Sequence, residues 1–97
     1  MHIISRKPLR EFSEKHHPAK ASLDAWFAEV CRAQWSSFAD IKAAYGSADG
    51  VAGNRVIFNI GGNKYRLVVK IAYQCQTVFI RFVGTHTEYD KIDAKTV

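Results

Sequence analysis

The chain has 97 residues, of which 47% are apolar and 24% charged, so it is long enough for one globular domain and is not a disordered segment. Its formal net charge of +5 favours a polyanionic partner such as nucleic acid. No apolar run approaches the roughly 20 residues that span a bilayer, and the N-terminus lacks the apolar stretch of a signal peptide. We therefore expect a single domain, residues 1–97, in the cytoplasm and without membrane contact.

A strand and a helix are expected first. Residues 2–6 favour a short strand, and Pro8 suits the first turn of a helix. The segment His16-His17-Pro18 should end that helix, because the residue before a proline avoids helical backbone.

The next segment has the clearest helical pattern in the chain. One apolar face with the spacing i, i+3, i+4, i+7, i+8 is formed by Leu23, Trp26, Phe27, Val30 and Cys31. Ser22 is the expected N-terminal cap of this helix, and Cys31 is expected in the core. A short third helix is predicted over Phe38–Tyr45, where Gly46 supplies a stop and a loop follows to residue 54.

From Arg55 onward the apolar period changes from helical to two, which indicates strands. We predict three of them, over Arg55–Ile60, Lys64–Tyr73 and Thr77–Val83, with turns at Gly61-Gly62-Asn63 and Gln74-Cys75-Gln76. In the last strand Phe82 is expected on the same face as Val78 and Ile80. Helices grouped before an antiparallel meander predict an α+β fold, with the helices on one sheet face and the other face open.

The predicted open face is cationic. Between Gly50 and Thr87 there is no Asp or Glu but five Lys or Arg, namely Arg55, Lys64, Arg66, Lys70 and Arg81. Lys64 and Arg66 lie two apart on one strand, so they point the same way at about 7 Å, the spacing of neighbouring RNA phosphates. These cations are candidate phosphate ligands. The competing interpretation is a solvated strand face whose cations serve solubility or edge protection.

His86 and Tyr89 follow the last predicted strand, where loops often carry chemistry. A His can act as acid or base near pH 7, and a Tyr can stack on a base or donate its hydroxyl. The alternative is a surface His and a Tyr packed on the sheet. No His or Cys pair has metal-ligand spacing and no phosphate-binding glycine loop is present, so we expect neither a metal nor a cofactor.

Three stretches of the sequence, residues 37–42, 54–67 and 82–90, resemble the HigB-type toxins of bacterial toxin–antitoxin modules. The resemblance implies a RelE-like fold, with helices packed on one side of a mainly antiparallel sheet. It also implies ribosome-dependent cleavage of mRNA in the A site by an endoribonuclease. The implied partners are the ribosome and a HigA-type antitoxin with a helix-turn-helix domain, which alone would bring the pair to operator DNA.

The resemblance also implies roles for individual residues. Tyr65-Arg66 matches a pattern in which a central-strand arginine contacts the scissile phosphate, and Gly84-Thr85-His86 followed by Tyr89 matches the rest of that site. Arg55 and Lys64 match basic positions on the preceding hairpin. The predicted catalytic set is therefore Arg66, His86, Tyr89 and Lys64. Which of His86 and Tyr89 is the base stays open, and a non-catalytic module that blocks translation by binding RNA or the ribosome is the alternative function.

Overall fold

The computed structural model describes residues 1–97. Its helices are α1 (Lys7–Lys15), α2 (Lys20–Arg32), α3 (Phe38–Ala44) and α4 (His86–Tyr89), with a 3₁₀ turn (His17–Ala19) between the first two. Its strands are β1 (His2–Ile4), β2 (Asp49–Val51), β3 (Arg55–Ile60), β4 (Tyr65–Ala72) and β5 (Thr77–Thr85). The three strands predicted after residue 55 and the three predicted helices are all present. The short strand β2 was not predicted, because Asp49-Gly50-Val51 has little of the composition that favours strands.

The strands form one sheet in the order β1-β5-β4-β3-β2. β1 runs parallel to β5 and the other neighbours are antiparallel. β4 is the central strand, hydrogen-bonded along its length to β3 and β5, and it carries Arg66. The α+β class with helices against one face of a mainly antiparallel sheet is confirmed.

The main core lies between the helices and one face of the sheet. Along β4 the alternate residues that face the helices are buried: Tyr65, Leu67, Val69 and Ile71. Trp26 of α2 and Trp35 pack in the same cluster. The expected burial of Cys31 is wrong, since it is exposed, one position round the helix from the buried Val30. Ser22 is not a cap either, because the 3₁₀ turn runs directly into α2 and places Ser22 inside the helix.

A β-bulge changes the side-chain alternation of β5. Val69 pairs with Ile80 and Val68 pairs with Phe82, which leaves Arg81 as an extra residue between the two pairs. An extra residue inverts the alternation beyond it. Phe82 therefore lies on the second face of the sheet while Val83 packs against the core, and the expectation that Phe82 faces the core is wrong.

The second face of the sheet is not open. Ile57 and Val68 on this face are buried although they lie outside the main core cluster. The chain leaves β5 through α4 and returns to Arg55 and Arg81, both of which donate hydrogen bonds to the main-chain oxygen of Val97. We call residues 90–97 the C-terminal segment. The prediction of an uncovered cationic face is wrong, because this face also carries apolar side chains that need cover from water.

Candidate active site

The candidate site is built where β4 begins and β5 ends, beside α4. Arg66 has Gly84 as its partner on β5 and Asn59 as its partner on β3, so it stands in the middle of the sheet. α4 begins directly after β5, and a capping box fixes its start: the Thr85 amide donates to Glu88 Oε1 at 2.8 Å and the Glu88 amide donates to Thr85 Oγ1 at 3.3 Å. The cap therefore sets the position of α4 relative to Arg66.

His86 and Tyr89 both lie on α4, three residues apart and so on neighbouring positions of one helical turn. The Arg66 guanidinium carbon is 5.6 Å from the centroid of the Tyr89 ring, within the range of a cation–π contact. The Tyr89 ring also approaches the Phe82 ring, with centroids 6.4 Å apart. Of the sequence-predicted residues, Arg66 and Tyr89 are thus in contact, and His86 lies on the same short helix as Tyr89.

Two neighbouring residues at this site have buried polar atoms without hydrogen-bond partners. Five such side-chain atoms occur in the protein, among them Asn59 Oδ1, Arg66 Nε and the His86 Nε2 of α4. Folded proteins pair nearly all buried polar atoms, so each exception calls for an explanation. Asn59 and Arg66 are cross-strand partners, so two of the exceptions lie side by side, as in a site whose hydrogen-bond partners arrive with a substrate. Sequence reasoning missed Asn59, although its position four residues after Arg55 already put it on the cationic face.

The remaining predicted cations are not gathered around Arg66. Lys64 is exposed in the turn directly before β4, at the same end of the sheet as Arg66. Arg55 and Lys70 are cross-strand partners four positions along the strands, about 13 Å away. Lys70 is exposed and free, whereas Arg55 and the bulged Arg81 are held at Val97. The five cations therefore form two groups, and only one of them adjoins His86 and Tyr89.

The charge of Glu88 stabilises the N-terminal cap of α4. The backbone hydrogen bond from Thr85 lowers the pKa of the Glu88 carboxyl below its ordinary value, and the nearby His16 and Lys15 act in the same direction. The ionised form of Glu88 is therefore the one that the folded protein stabilises. No cluster of three or more His, Cys, Asp or Glu side chains could hold a metal ion.

A groove of about 560 Å³ lies elsewhere, between α1 and α2. Its wall mixes cations such as Arg6 and Lys20 with the carboxylates of Glu14 and Asp24, and one of these pairs, Lys20–Asp24, is an ion pair at 2.7 Å. None of the unpaired buried polar atoms belongs to its lining. A polyanion has less reason to bind there than at Arg66.

Comparison with known proteins agrees with the fold and the site. A family model described as HigB toxin, the RelE-like toxic component of a toxin–antitoxin system, matches residues 19–92. This chain belongs to that family. The mRNA interferase toxin HigB of Escherichia coli K12 is 33% identical over 92 residues, which cover 93% of this chain and 88% of that protein. The mRNA interferase HigB of Shigella flexneri gives the same values, and that of Escherichia coli O6:H1 is 24% identical over 94 residues, 95% of this chain and 91% of that protein.

Membership of the HigB family confirms the predicted family and its RelE-like character. A toxic component of a toxin–antitoxin system has an antitoxin as its partner, so this prediction is confirmed for the kind of partner. None of the helices in the structure has the length and apolar character needed to cross a membrane.

Proposed function

We propose that this protein is an endoribonuclease that cleaves translated mRNA in the ribosomal A site, with residues 1–97 acting as one toxin domain in the cytoplasm. Its family and the mRNA interferase names of its relatives support this proposal. The observation that carries it in the structure is a central-strand arginine, Arg66, with Tyr89 of α4 beside it, His86 on the same helix, and buried nitrogens of Arg66 and His86 unpaired.

These side chains suit RNA cleavage without a metal. RNA carries its own nucleophile, the 2′-OH, which attacks the adjacent phosphorus while a base takes its proton. The bond from phosphorus to the 5′-oxygen breaks, that oxygen receives a proton from an acid, and a 2′,3′-cyclic phosphate remains. DNA lacks the 2′-OH and would resist this route.

Each step has a candidate side chain. The Arg66 guanidinium can stabilise the charge that develops on the pentavalent phosphorus. His86 and Tyr89, neighbours on one turn of α4, are the candidate acid and base, and such groups contribute about 10²–10⁴-fold to rate. The exposed ammonium of Lys64 is close enough along the chain to hold a neighbouring phosphate.

The second group of cations, Arg55, Lys70 and Arg81, extends the proposed RNA path along the sheet. Lys70 is free to contact a phosphate in the structure as it stands. Arg55 and Arg81 reach RNA only when their hydrogen bonds to Val97 open. We propose that these three act in phosphate binding and not in the chemical step.

The proposed partners are mRNA on the ribosome and a HigA-type antitoxin with a helix-turn-helix domain. The longest helix, α2, buries Leu23, Trp26 and Val30 in the core and carries Asp24 and Glu29 among its charges, which does not suit a helix that reads DNA. Operator DNA is therefore expected to be contacted by the antitoxin and not by this chain.

Induced expression of matched variants tests the proposal. Wild type should arrest growth and leave new 5′ ends in translated mRNA, mapped by primer extension. Arg66→Ala and His86→Ala should each abolish both effects while keeping the wild-type circular dichroism spectrum, and Arg32→Ala, an exposed cation on α2, should behave as wild type. Arrest without new 5′ ends would favour the non-catalytic module, and full toxicity of both folded site variants would contradict the site.

A further inference from the structure

Asn59 and Arg66 each have one buried polar atom without a hydrogen-bond partner, and the two atoms are complementary. They are direct cross-strand partners on β3 and β4, so their side chains leave the same face of the sheet with Cβ atoms about 5 Å apart. Asn59 Oδ1 and Arg66 Nε are both buried, and neither has a hydrogen-bond partner. One atom only accepts a hydrogen bond and the other only donates one.

The orientation of the Asn59 amide is set by a third residue. Its nitrogen donates to the main-chain oxygen of Ser47 at 3.1 Å. A main-chain oxygen can only accept, which identifies the amide atom next to it as nitrogen and the other as oxygen. The free acceptor of Asn59 is thus held in place by the segment that precedes β2, on the side of the sheet that carries Arg66.

The guanidinium of Arg66 is engaged elsewhere in the free protein. Its carbon lies 5.6 Å from the centroid of the Tyr89 ring, while its Nε stays unpaired. A guanidinium that turns from this ring toward a phosphate can offer its two terminal nitrogens as a fork, which leaves Nε–H free on the side of the group nearest the strand. Asn59 Oδ1 is the unpaired acceptor on the adjacent strand that this donor can meet.

We propose that Asn59 is a positioning residue for Arg66: its Oδ1 accepts a hydrogen bond from Arg66 Nε when the guanidinium engages the scissile phosphate. This inference rests on the proposed function, because it takes Arg66 as the phosphate ligand. Asn59 itself touches no RNA in this scheme. It restricts the guanidinium to the orientation in which both terminal nitrogens face the phosphate, so its effect falls on the chemical step.

The test is a double-mutant cycle in a ribosome-dependent mRNA cleavage assay, with single-turnover rates at excess toxin for slow variants. Asn59→Ala should lower kcat about tenfold and leave KM unchanged, the size expected for one hydrogen bond to a charged group. Lys has no donor at the position of Nε, so Asn59→Ala should cause less than about a twofold further loss in an Arg66→Lys background. Gln74→Ala, an exposed amide in the β4–β5 turn, is the matched control and should behave as wild type.

The outcomes separate this inference from the function it rests on. A tenfold loss that is equally large in the wild-type and Arg66→Lys backgrounds, or one that comes with a lowered Tm, would assign Asn59 a structural role through Ser47 and overturn the inference. Wild-type kcat for Asn59→Ala, with cleavage still dependent on Arg66, overturns the inference and leaves the proposed function intact. Absence of cleavage by the wild-type protein overturns both.

Discussion

Gly84 lies directly opposite Arg66 in the β4–β5 ladder, and its lack of a side chain is required there. A Cβ at this position would be 2.6 Å from Phe82 Cζ and 3.1 Å from Glu88 Cβ. The first distance is shorter than real Cβ contacts, so the Phe82 ring would have to move. That ring supports Tyr89, which in turn covers Arg66. Gly84 therefore links the packing of the second face to the geometry of the site.

Gly84→Ala is expected to lower the free energy of unfolding by about 1–3 kcal/mol, because it overpacks a closed site. It should also reduce mRNA cleavage, since the Phe82 ring that supports Tyr89 must move. Urea denaturation and primer extension measure the two effects. Gly46→Ala is the matched control: nothing lies within 4 Å of its added Cβ, so neither quantity should fall. Equal behaviour of the two variants would contradict the packing link.

The hydroxyl and the ring of Tyr89 can be separated. Tyr89→Phe keeps the ring that packs on Phe82 and faces Arg66, so its Tm should match wild type. If the hydroxyl takes part in proton transfer, as we predict, single-turnover cleavage should fall by at least about 10²-fold. Tyr89→Leu, which removes the ring as well, should lower both Tm and cleavage. Wild-type cleavage by Tyr89→Phe would leave His86 as the only candidate of the two.

The pKa of Glu88 predicts an acid-sensitive α4. Because the Thr85 amide lowers the pKa of Glu88 in the folded protein, the stability from the ionised carboxylate is complete above its unfolded pKa and is lost as pH falls through the folded value. The wild-type protein should therefore lose stability relative to Glu88→Gln between about pH 5 and pH 3. Thermal unfolding of both proteins across that range measures the difference. Parallel curves would show that the carboxylate charge does not stabilise the cap.

Arg55→Ala should release the C-terminal segment. The variant loses two hydrogen bonds to the Val97 oxygen, about 1 kcal/mol of attachment, so the amides of residues 92–97 should exchange with solvent about fivefold faster. Lys70→Ala, the exposed cross-strand neighbour, makes no hydrogen bond and serves as control. Hydrogen exchange with mass spectrometry on both variants measures this. Unchanged exchange in Arg55→Ala would mean that other contacts hold the segment.

The salt dependence of RNA binding reports whether the segment moves. With Lys64, Arg66 and Lys70 on phosphates, log affinity for single-stranded RNA should fall with log salt at a slope of about −2. Engagement of Arg55 and Arg81 as well gives a slope of about −3.5 and requires Val97 to leave them. We expect the steeper slope for wild type and a shallower one for Arg81→Ala. A wild-type slope close to the three-cation value that does not change in Arg81→Ala would contradict the phosphate-binding role of Arg55 and Arg81.

Much of this fold follows from the sequence because local periodicity and packing agree. Along β4 the period-two spacing of Tyr65, Leu67, Val69 and Ile71, with Arg66 and Lys70 between them, predicts both the strand and the face that packs on the helices, and the structure matches it. The same reasoning placed Phe82 wrongly, because a bulge depends on the pairing of two strands and leaves no local mark in either. The burial of Cys31 was also predicted wrongly. The spacing of apolar residues shows which way a helix face points, but it does not show how far round the helix the buried area extends.

The candidate site was predicted in part for similar reasons. Arg66 and Tyr89 lie in or next to strands whose ends are fixed by turn residues, so their contact follows from the order of elements. Arg55 and Arg81 both donate hydrogen bonds to Val97, which lies 42 residues after the first and 16 after the second. No local sequence pattern predicts contacts over such separations. The sequence did not point to Asn59, because whether a polar atom lacks a hydrogen-bond partner depends on the folded structure and not on composition.

We expect Arg66 and the α4 residues of the proposed site to differ in local stability. Arg66 belongs to the strand in the middle of the sheet, whose amides we expect to exchange only in global unfolding. His86 and Tyr89 belong to a four-residue helix that buries none of its own residues, so we expect it to open at far lower cost. A rigid Arg66 beside a more mobile α4 would let RNA enter and leave the proposed site without displacing the residue that holds the phosphate.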